Sequence, residues 1–441
     1  LPVVAGSTQG RLALPPGNNL QQGTVSGEVR LPIFAATTLT YNASIGRLGQ
    51  DAGFLPLSTL PGGATLPASS LDGDVRLSHY ALALSSRPLN RLYVRGTASY
   101  DGRDDRTRPL AIAYIVTDTL PGGVPFTRRF GQDRIRLDGS ADYRLFRWLR
   151  LGAGGEYLNV VYAPGQEISY TAENRSWARA TLNPLSSVTI VLKGGDAHRG
   201  ASNFDVTVLP VNENPLLRAY EYAARDQNFF TATASWALTS ALTWSLEGSW
   251  TDEAYRSSPL GLQDGRDRSL ATTLAWAPSA RSSFYVDGSY QRLSARQNGS
   301  IGSGAPIWRA QDAQHFWTLA AGGRWALSSR WDLGVDYLRA QSNGETNMFS
   351  GGVAEPFPLD KTRLDSVRIN TSYQWTPALR MRLHYGHEKY DTSDWALDNV
   401  GPDTVTNLLA LGAQPYRHNV NVVGLTARYQ FGTVASAKAA D

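Results

Sequence analysis

The sequence predicts an all-β chain, a large antiparallel up-and-down transmembrane β-barrel, and three observations carry that prediction. Apolar and polar residues alternate strictly over many segments, the connections between segments alternate between tight and long, and no stretch approaches the roughly 18 consecutive apolar residues of a helical membrane span. Composition agrees: the 441 residues include 42 Gly, 20 Tyr, 13 Phe and 12 Trp but only 2 Met, a mix of strand and turn formers. A mean hydropathy of -0.29 is compatible with a barrel, because only every second residue of a spanning strand has to be apolar.

About seventeen strands follow in order. The first two lie near 20–31 and 37–50. Arg87-Pro88-Leu89-Asn90 then joins 74–86 to 91–103, Phe146-Arg147 joins 134–145 to 148–162, and Asn183-Pro184-Leu185-Ser186 joins 172–183 to 187–198. Thr239-Ser240 joins 228–238 to 242–255, and Pro278-Ser279-Ala280 joins 268–277 to 282–296. Ser328-Ser329 joins 314–327 to 331–342, Thr376-Pro377 joins 364–375 to 379–392, and 416–431 closes the series. The segment after Thr376-Pro377 shows the alternation well: Leu379, Met381, Leu383 and Tyr385 interleave with Arg380, Arg382, His384 and Gly386, so one face suits lipid and the other water. Several strands exceed the roughly 9–11 residues that cross a bilayer, so the barrel should stand tall.

The intervening links, such as 51–73, 104–133, 199–227, 297–313 and 343–363, are long. Outer-membrane barrels have short periplasmic turns and long extracellular loops. Trp148, Trp236, Trp244, Trp276, Trp325, Trp331 and Trp375 sit beside the tight turns and read as the periplasmic aromatic girdle. The last strand carries Val423, Leu425, Ala427, Tyr429 and Phe431 on one face, like the C-terminal insertion signal of such barrels. Residues 1–431 are therefore expected to form one barrel, with 432–441 a periplasmic tail. If the last strand descends to the periplasm, so does the first, and residue 1 lies outside. A complete bacterial barrel has an even strand number and both ends in the periplasm, so an odd number of N-terminal strands is expected to be absent.

The absence of Cys removes disulfides, thiolate metal sites and Cys-x-x-Cys-His haem attachment from this chain. A net charge of +4 with a pI near 9.2 comes from scattered Arg residues rather than a patch, which argues against nucleic acid. The six His residues lie far apart, with no nucleophile or zinc motif, so an enzyme is not expected. His384 and His387 fall on opposite faces of one strand. Asp101, Asp104 and Asp105 have oxygen ligands for Ca²⁺ on a loop, the alternative being a solvated turn. Gly152-Ala153-Gly154-Gly155 continues the alternation, and its small residues should let a partner approach closely.

The polar phase of the strands is charged with both signs: Arg136, Asp138, Asp142, Arg144, Arg150, Glu156, Glu247, Asp287, Asp332, Asp336, Arg380, Arg382 and Glu388. A wet lumen of any porin accounts for such a face, since solvated charges can pair across strands. A protein plug accounts for it too, because arginine holds carboxylates through a planar fork.

Further motifs resemble the MtrB/PioB family of decahaem-associated outer-membrane proteins. They are Ala13-Leu14-Pro15-Pro16-Gly17-Asn18-Asn19, Gly46-Arg47-Leu48-Gly49-Gln50-Asp51-Ala52-Gly53-Phe54-Leu55-Pro56 and Leu71-Asp72-Gly73. Ser86-Arg87-Pro88-Leu89 with Tyr100-Asp101-Gly102-Arg103-Asp104-Asp105-Arg106-Thr107, and Asn214-Pro215-Leu216-Leu217-Arg218-Ala219-Tyr220 with Ala224-Arg225-Asp226, complete the set in order. The resemblance implies the C-terminal part of a barrel of about 26 strands in the outer membrane. It implies a periplasmic decahaem c-type cytochrome inside the barrel, haem c carried by that partner, and an extracellular multihaem cytochrome as a further partner on the loops. An open diffusion porin or substrate channel, narrowed by an inward loop, is the competing expectation.

Overall fold

The computed structural model describes residues 17–32, 36–55, 66–111, 126–208, 214–302, 304–393, 395 and 417–431. Eighteen strands make up the described chain: β1 Asn19–Leu31, β2 Thr37–Gln50, β3 Gly73–Leu89, β4 Leu92–Asp105, β5 Gln132–Arg144, β6 Leu149–Tyr162, β7 Tyr170–Leu185, β8 Val188–Ala201, β9 Arg225–Ala237, β10 Leu242–Tyr255, β11 Gly261–Ser279, β12 Ser282–Gly299, β13 Trp308–Ala326, β14 Trp331–Ser350, β15 Val353–Pro356, β16 Asp360–Gln374, β17 Leu379–Ser393 and β18 Arg417–Tyr429. The only helix among the described residues is a 3-10 turn at Val206–Val208.

Each strand pairs antiparallel with the next from β1 to β14. β14 then pairs with β16 along its length, and the meander runs on through β17 to β18. β1 and β18 are the sheet edges, with no ladder between them among the described residues. Every predicted strand is present. The additional one, β15, pairs only with the far end of β14, at a hairpin tip turned by Gly351 and Gly352 at φ 57° and 84°.

The links fall into two ends. Residues 32–36, 90–91, 145–148, 186–187, 238–241, 280–281, 327–330 and 375–378 turn the chain at one; 51–72, 106–131, 163–169, 202–224, 300–307 and 394–416 connect strands at the other. The predicted asymmetry holds except at 256–260, which is short because β11 begins at Gly261 rather than near 268, and at 343–363, where β14 runs on to Ser350 and β15 and β16 take up most of the expected link. Gly261 has φ +82°, and a Cβ there would meet the Arg218 carbonyl oxygen at 2.9 Å, so this turn requires glycine. The tail at 432–441 lies outside the described residues.

The register fixes which side chains share a face. Even-numbered residues of β1, β2, β5 and β6 lie with odd-numbered residues of β3, β4 and β7 to β12, and with even-numbered residues of β13, β14 and β16 to β18. The opposite face is apolar and exposed, carrying Leu82, Leu137, Leu151, Leu192, Phe230, Leu270, Val286, Leu319, Leu383 and Leu425. Among the described residues no apolar layer covers these side chains, which is the arrangement of a sheet solvated by lipid.

At the tight-turn end this apolar face is edged by tryptophans. Trp236 pairs with Trp244, Trp331 pairs with Tyr373, and Trp276, Phe284 and Trp325 form a continuous aromatic row with ring centroids 5.3 and 5.1 Å apart. Trp148 stacks on Phe146 within its turn. The Trp244 and Trp331 indole N–H groups donate to Thr272 and Thr371, so these amphipathic rings keep their polar edge satisfied. On β13 the band runs from Trp325 to Trp317, about 27 Å along the strand and about 20 Å along the normal at a tilt near 40°, against an apolar band of about 25 Å in such barrels. Beyond it the same face turns polar, with Asp252, Arg268, Arg292, His315, Arg339, Asp365 and His387.

Candidate functional site

The polar face is where chemistry can be placed, and every residue predicted for it shares that face: Arg136, Asp138, Arg150, Glu156, Glu247, Asp287, Asp332, Asp336, Arg380, Arg382 and Glu388. Most are already engaged by neighbours. Arg136 contacts Glu156 at 3.0 Å, and Asp138 sits across from Glu156 and accepts from the Thr97 hydroxyl. Arg380 reaches Asp332 at 2.7 Å and donates to Ser372 at 2.8 Å; Tyr285 donates to Asp336 at 2.8 Å; Glu388 and His418 lie 3.0 Å apart. Arg150 lies over the Tyr93 ring, 5.6 Å from its centroid. Glu247, Asp287 and Arg382 make no hydrogen bond or ion pair among the described residues.

Between β7 and β10 the face holds a denser network that alternation alone does not reveal. Arg225 bridges Glu173 at 2.7 Å and Glu253 at 2.9 Å, while the Gln227 amide donates to Glu253 at 2.6 Å and Tyr255 donates to the same carboxylate at 2.8 Å. Below it, Arg179 donates to both oxygens of Asp142 at 2.6 Å, and Arg179 and Lys193 flank the Trp177 ring at 5.4 and 4.6 Å. A signal is present in the sequence: Thr171, Glu173, Arg175, Trp177, Arg179 and Thr181 are the odd positions of β7. What hides it is the odd-numbered sum of the β6–β7 pairs, such as Leu149 with Leu182, which exchanges the parity of the polar phase between these strands.

The small residues of β6 do not leave room for a partner at that level. A Cβ on Gly154 would run into the Trp177 ring and one on Gly152 into the Asp142 carboxylate, so these two side chains already lie flat across the strand. The expectation of a close partner approach there is corrected by this packing.

Residues 214–224, in the link ahead of β9, bend over the polar face. Arg199 donates to the Ala223 carbonyl at 3.0 Å and to that of Tyr220, the Tyr222 ring meets Tyr162 edge-on at 5.5 Å, and Asn214 donates to Gly302 and Gly304 across the rim. Burial raises the Tyr222 phenol and lowers the Arg218 guanidinium from their ordinary values. Asp205, in the same link, is lowered by hydrogen bonds from the Thr207 hydroxyl and amide.

The remaining candidates separate. His384 is on the polar face opposite Asn370, and His387 is on the other face with Asn421 at 2.9 Å, as their spacing predicts. Asp101 faces His79 at 2.6 Å, Asp104 pairs with Arg106 at 2.6 Å, and Asp105 accepts from the Phe130 amide at 2.9 Å, so the three carboxylates point to different partners. Among the described residues no group of three or more His, Asp or Glu side chains could hold a metal ion.

The sequence compares with known proteins along nearly its whole length. A family model described as "Putative outer membrane beta-barrel porin, MtrB/PioB" matches residues 3–431. The "Outer membrane protein MtrB" of Shewanella baltica is 23% identical over 437 residues, covering 97% of this chain and 61% of that protein. The chain therefore spans less than two thirds of that relative's length. Among solved structures, a point mutant of the ferric enterobactin receptor PfeA of Pseudomonas aeruginosa aligns with a TM-score of 0.49 at 10% identity, over 94% of this chain and 70% of that one. The siderophore receptor PirA of Acinetobacter baumannii aligns with a TM-score of 0.47 at 9% identity, over 94% and 71%.

Proposed function

The chain belongs to the MtrB/PioB family of outer-membrane β-barrel proteins, and on that premise we propose that it forms the barrel sheath of a porin-cytochrome conduit. The polar face is the lumen wall. It encloses a periplasmic decahaem c-type cytochrome, which carries the haem c, and the long links dock an extracellular multihaem cytochrome. The family match over residues 3–431 is the observation that carries this reading.

The barrel's contribution is physical. Its outer band keeps the sheet in lipid, its wall excludes lipid and water from the haem chain, and its low dielectric insulates the cofactors. Lumen charges that are already paired cost less to desolvate than lone ones when an occupant displaces water, since a buried charge left without its partner costs about 3–5 kcal/mol. Arg136 with Glu156 and Arg380 with Asp332 thus form neutral pairs in the lining, and Arg225 with Glu173 and Glu253 a paired cluster with one carboxylate in excess. Arg150, Glu247, Asp287 and Arg382 retain capacity for the occupant, the arginines through the fork that grips carboxylates.

A diffusion porin or substrate channel is the second reading, and the segment 214–224 leaning over the polar face favours it, because a channel needs a constriction. Purification from native outer membranes in mild detergent separates the two. A co-purifying haem-stained band with a Soret absorption that shifts on dithionite reduction supports the sheath. A haem-free barrel that conducts ions in a planar bilayer sinks it and leaves the porin.

A further inference from the structure

The outer face of β10 to β14 departs from a plain lipid-facing band. Gly288 removes a side chain between Leu246, Leu270 and Leu319, and the resulting groove, about 460 Å³, is walled by Tyr290 and Trp317. Those two rings pack with centroids 4.3 Å apart, and the Tyr290 hydroxyl is fixed 2.8 Å from His315 Nδ1, so the wall is rigid. Arg339 lines the groove at its other side. Immediately beyond Tyr290 on the same face stands Arg292, paired across strands with Arg268 and His315.

Charge at this level is unbalanced. Asp252 is shared by Arg268 at 2.7 Å and Arg266 at 4.0 Å, and Asp365 by Arg363 at 2.7 Å and Arg339 at 3.9 Å. Arg292 is exposed and makes no ion pair or hydrogen bond among the described residues. On the same face Asp264 and Asp391 are taken up by Arg296 and Arg417, and the remaining five arginines meet two carboxylates at the edge of an apolar band, on the side of the long links and hence of the outer leaflet. Arg292 and Arg339 stand two strands and two same-face positions apart, about 17 Å by the spacings of a sheet.

We infer that this face binds a bis-phosphorylated glycolipid of the outer leaflet, an acyl chain lying in the groove over Gly288 and the two phosphates meeting Arg292 and Arg339. The groove supplies apolar contact, but the arginines at its rim, Arg292 without an ion pair and Arg339 on a long contact to a shared carboxylate, select the headgroup: guanidinium forks grip phosphate oxygens in pairs. A lipid chain alone needs no arginine, and two acidic side chains cannot neutralise this many.

Native mass spectrometry of the full-length barrel tests the site, with the protein carried in nanodiscs that contain bis-phosphorylated lipid A, dephosphorylated lipid A or phosphatidylglycerol. The wild type should retain bis-phosphorylated lipid A, and each of Arg292→Gln and Arg339→Gln should lower its retention by about tenfold or more, the loss expected for one charge-assisted hydrogen bond. Gly288→Phe should also abolish retention by filling the groove, the backbone admitting a side chain because a Cβ there meets only Thr272 at 3.8 Å. Arg136→Gln, on the opposite face, should leave retention unchanged. Heat-modifiable gel mobility selects folded barrels before each measurement. Equal retention in the folded variants, or of dephosphorylated lipid A, overturns the assignment; equal retention of phosphatidylglycerol overturns its lipid specificity.

Discussion

Replacing Arg225 with methionine isolates what the charged lining contributes to stability. Its guanidinium is 17% exposed and sits between carboxylates of Glu173 and Glu253 that are 16% and 22% exposed. Removing one partner of a buried ion pair costs about 3–5 kcal/mol, because the remaining charge stays desolvated. Here the network borders a wet face, so water returns part of that, and the expected loss is about 2–3 kcal/mol, or about 30- to 150-fold in the unfolding equilibrium. Guanidinium titration of the barrel in detergent micelles, followed by tryptophan fluorescence, reads the change as a lower midpoint at constant slope. The cause is checked by adding Glu173→Gln and Glu253→Gln to Arg225→Met: with no carboxylate left to strand, most of the lost stability should return. A single variant within about 0.5 kcal/mol of wild type, or a triple variant no better than the single, would refute the claim that desolvated charge sets the cost.

The faces can be told apart by matched arginines. Ala321→Arg on the apolar face, midway along the band, should cost about 2–4 kcal/mol, whereas Thr273→Arg, opposite Asp287 on the polar face, should stay within about 0.5 kcal/mol, and unfolding midpoints compare them. Gly154→Leu should lose about 1–3 kcal/mol because its side chain meets Trp177, read as a lowered melting temperature of the folded band on gels. The turn at Asp205 has a definite acid limit. Its carboxyl is lowered by the Thr207 hydrogen bonds, so the stability it gives the turn is full above the ordinary aspartate value of about 3.9 and is lost as pH falls through the lower folded value. The protection of the Thr207 amide, its exchange taken relative to the intrinsic rate at each pH, should therefore persist through that ordinary value and fall only below it.

The strands were legible where lipid imposes a pattern and illegible where it does not. β11 is predicted from 268 and begins at Gly261; β14 is predicted to 342 and reaches Ser350. Both errors start near the edge of the apolar band, at Arg268 and at Arg339. Beyond it both faces are polar, Asp264, Arg266 and Asp267 on one strand, Asn343, Glu345 and Asn347 on the other, so hydrophobic alternation disappears while the ladder continues. β15, with Glu355 and Pro356 in four residues, gives no alternation to read. The residues named from the sequence share one face because β5, β6, β10, β12, β14 and β17 keep a simple charged phase. Arg179 and Glu173 required the register across β6 and β7 as well.

The two faces answer to different constraints, and that difference governs what can be inferred from each. The outer face meets one solvent of fixed thickness, so its band, girdle and polar edge must agree from strand to strand, and a departure such as Gly288 beside Arg292 stands out against a regular background. The polar face meets water or a partner, both of which tolerate mixed charge, so pairing there reports chiefly on the barrel's own folding. What can discriminate an occupant is the remainder after pairing. Arg150, Glu247, Asp287 and Arg382 lie on strands spread from β6 to β17 and share the polar face, and neutral substitutions at them should weaken retention of a protein occupant while leaving the unfolding midpoint of the empty barrel unchanged. Quantifying haem per barrel after detergent extraction measures the first, and guanidinium titration the second. An unchanged haem ratio across all four substitutions would remove these groups from any role in holding a cytochrome.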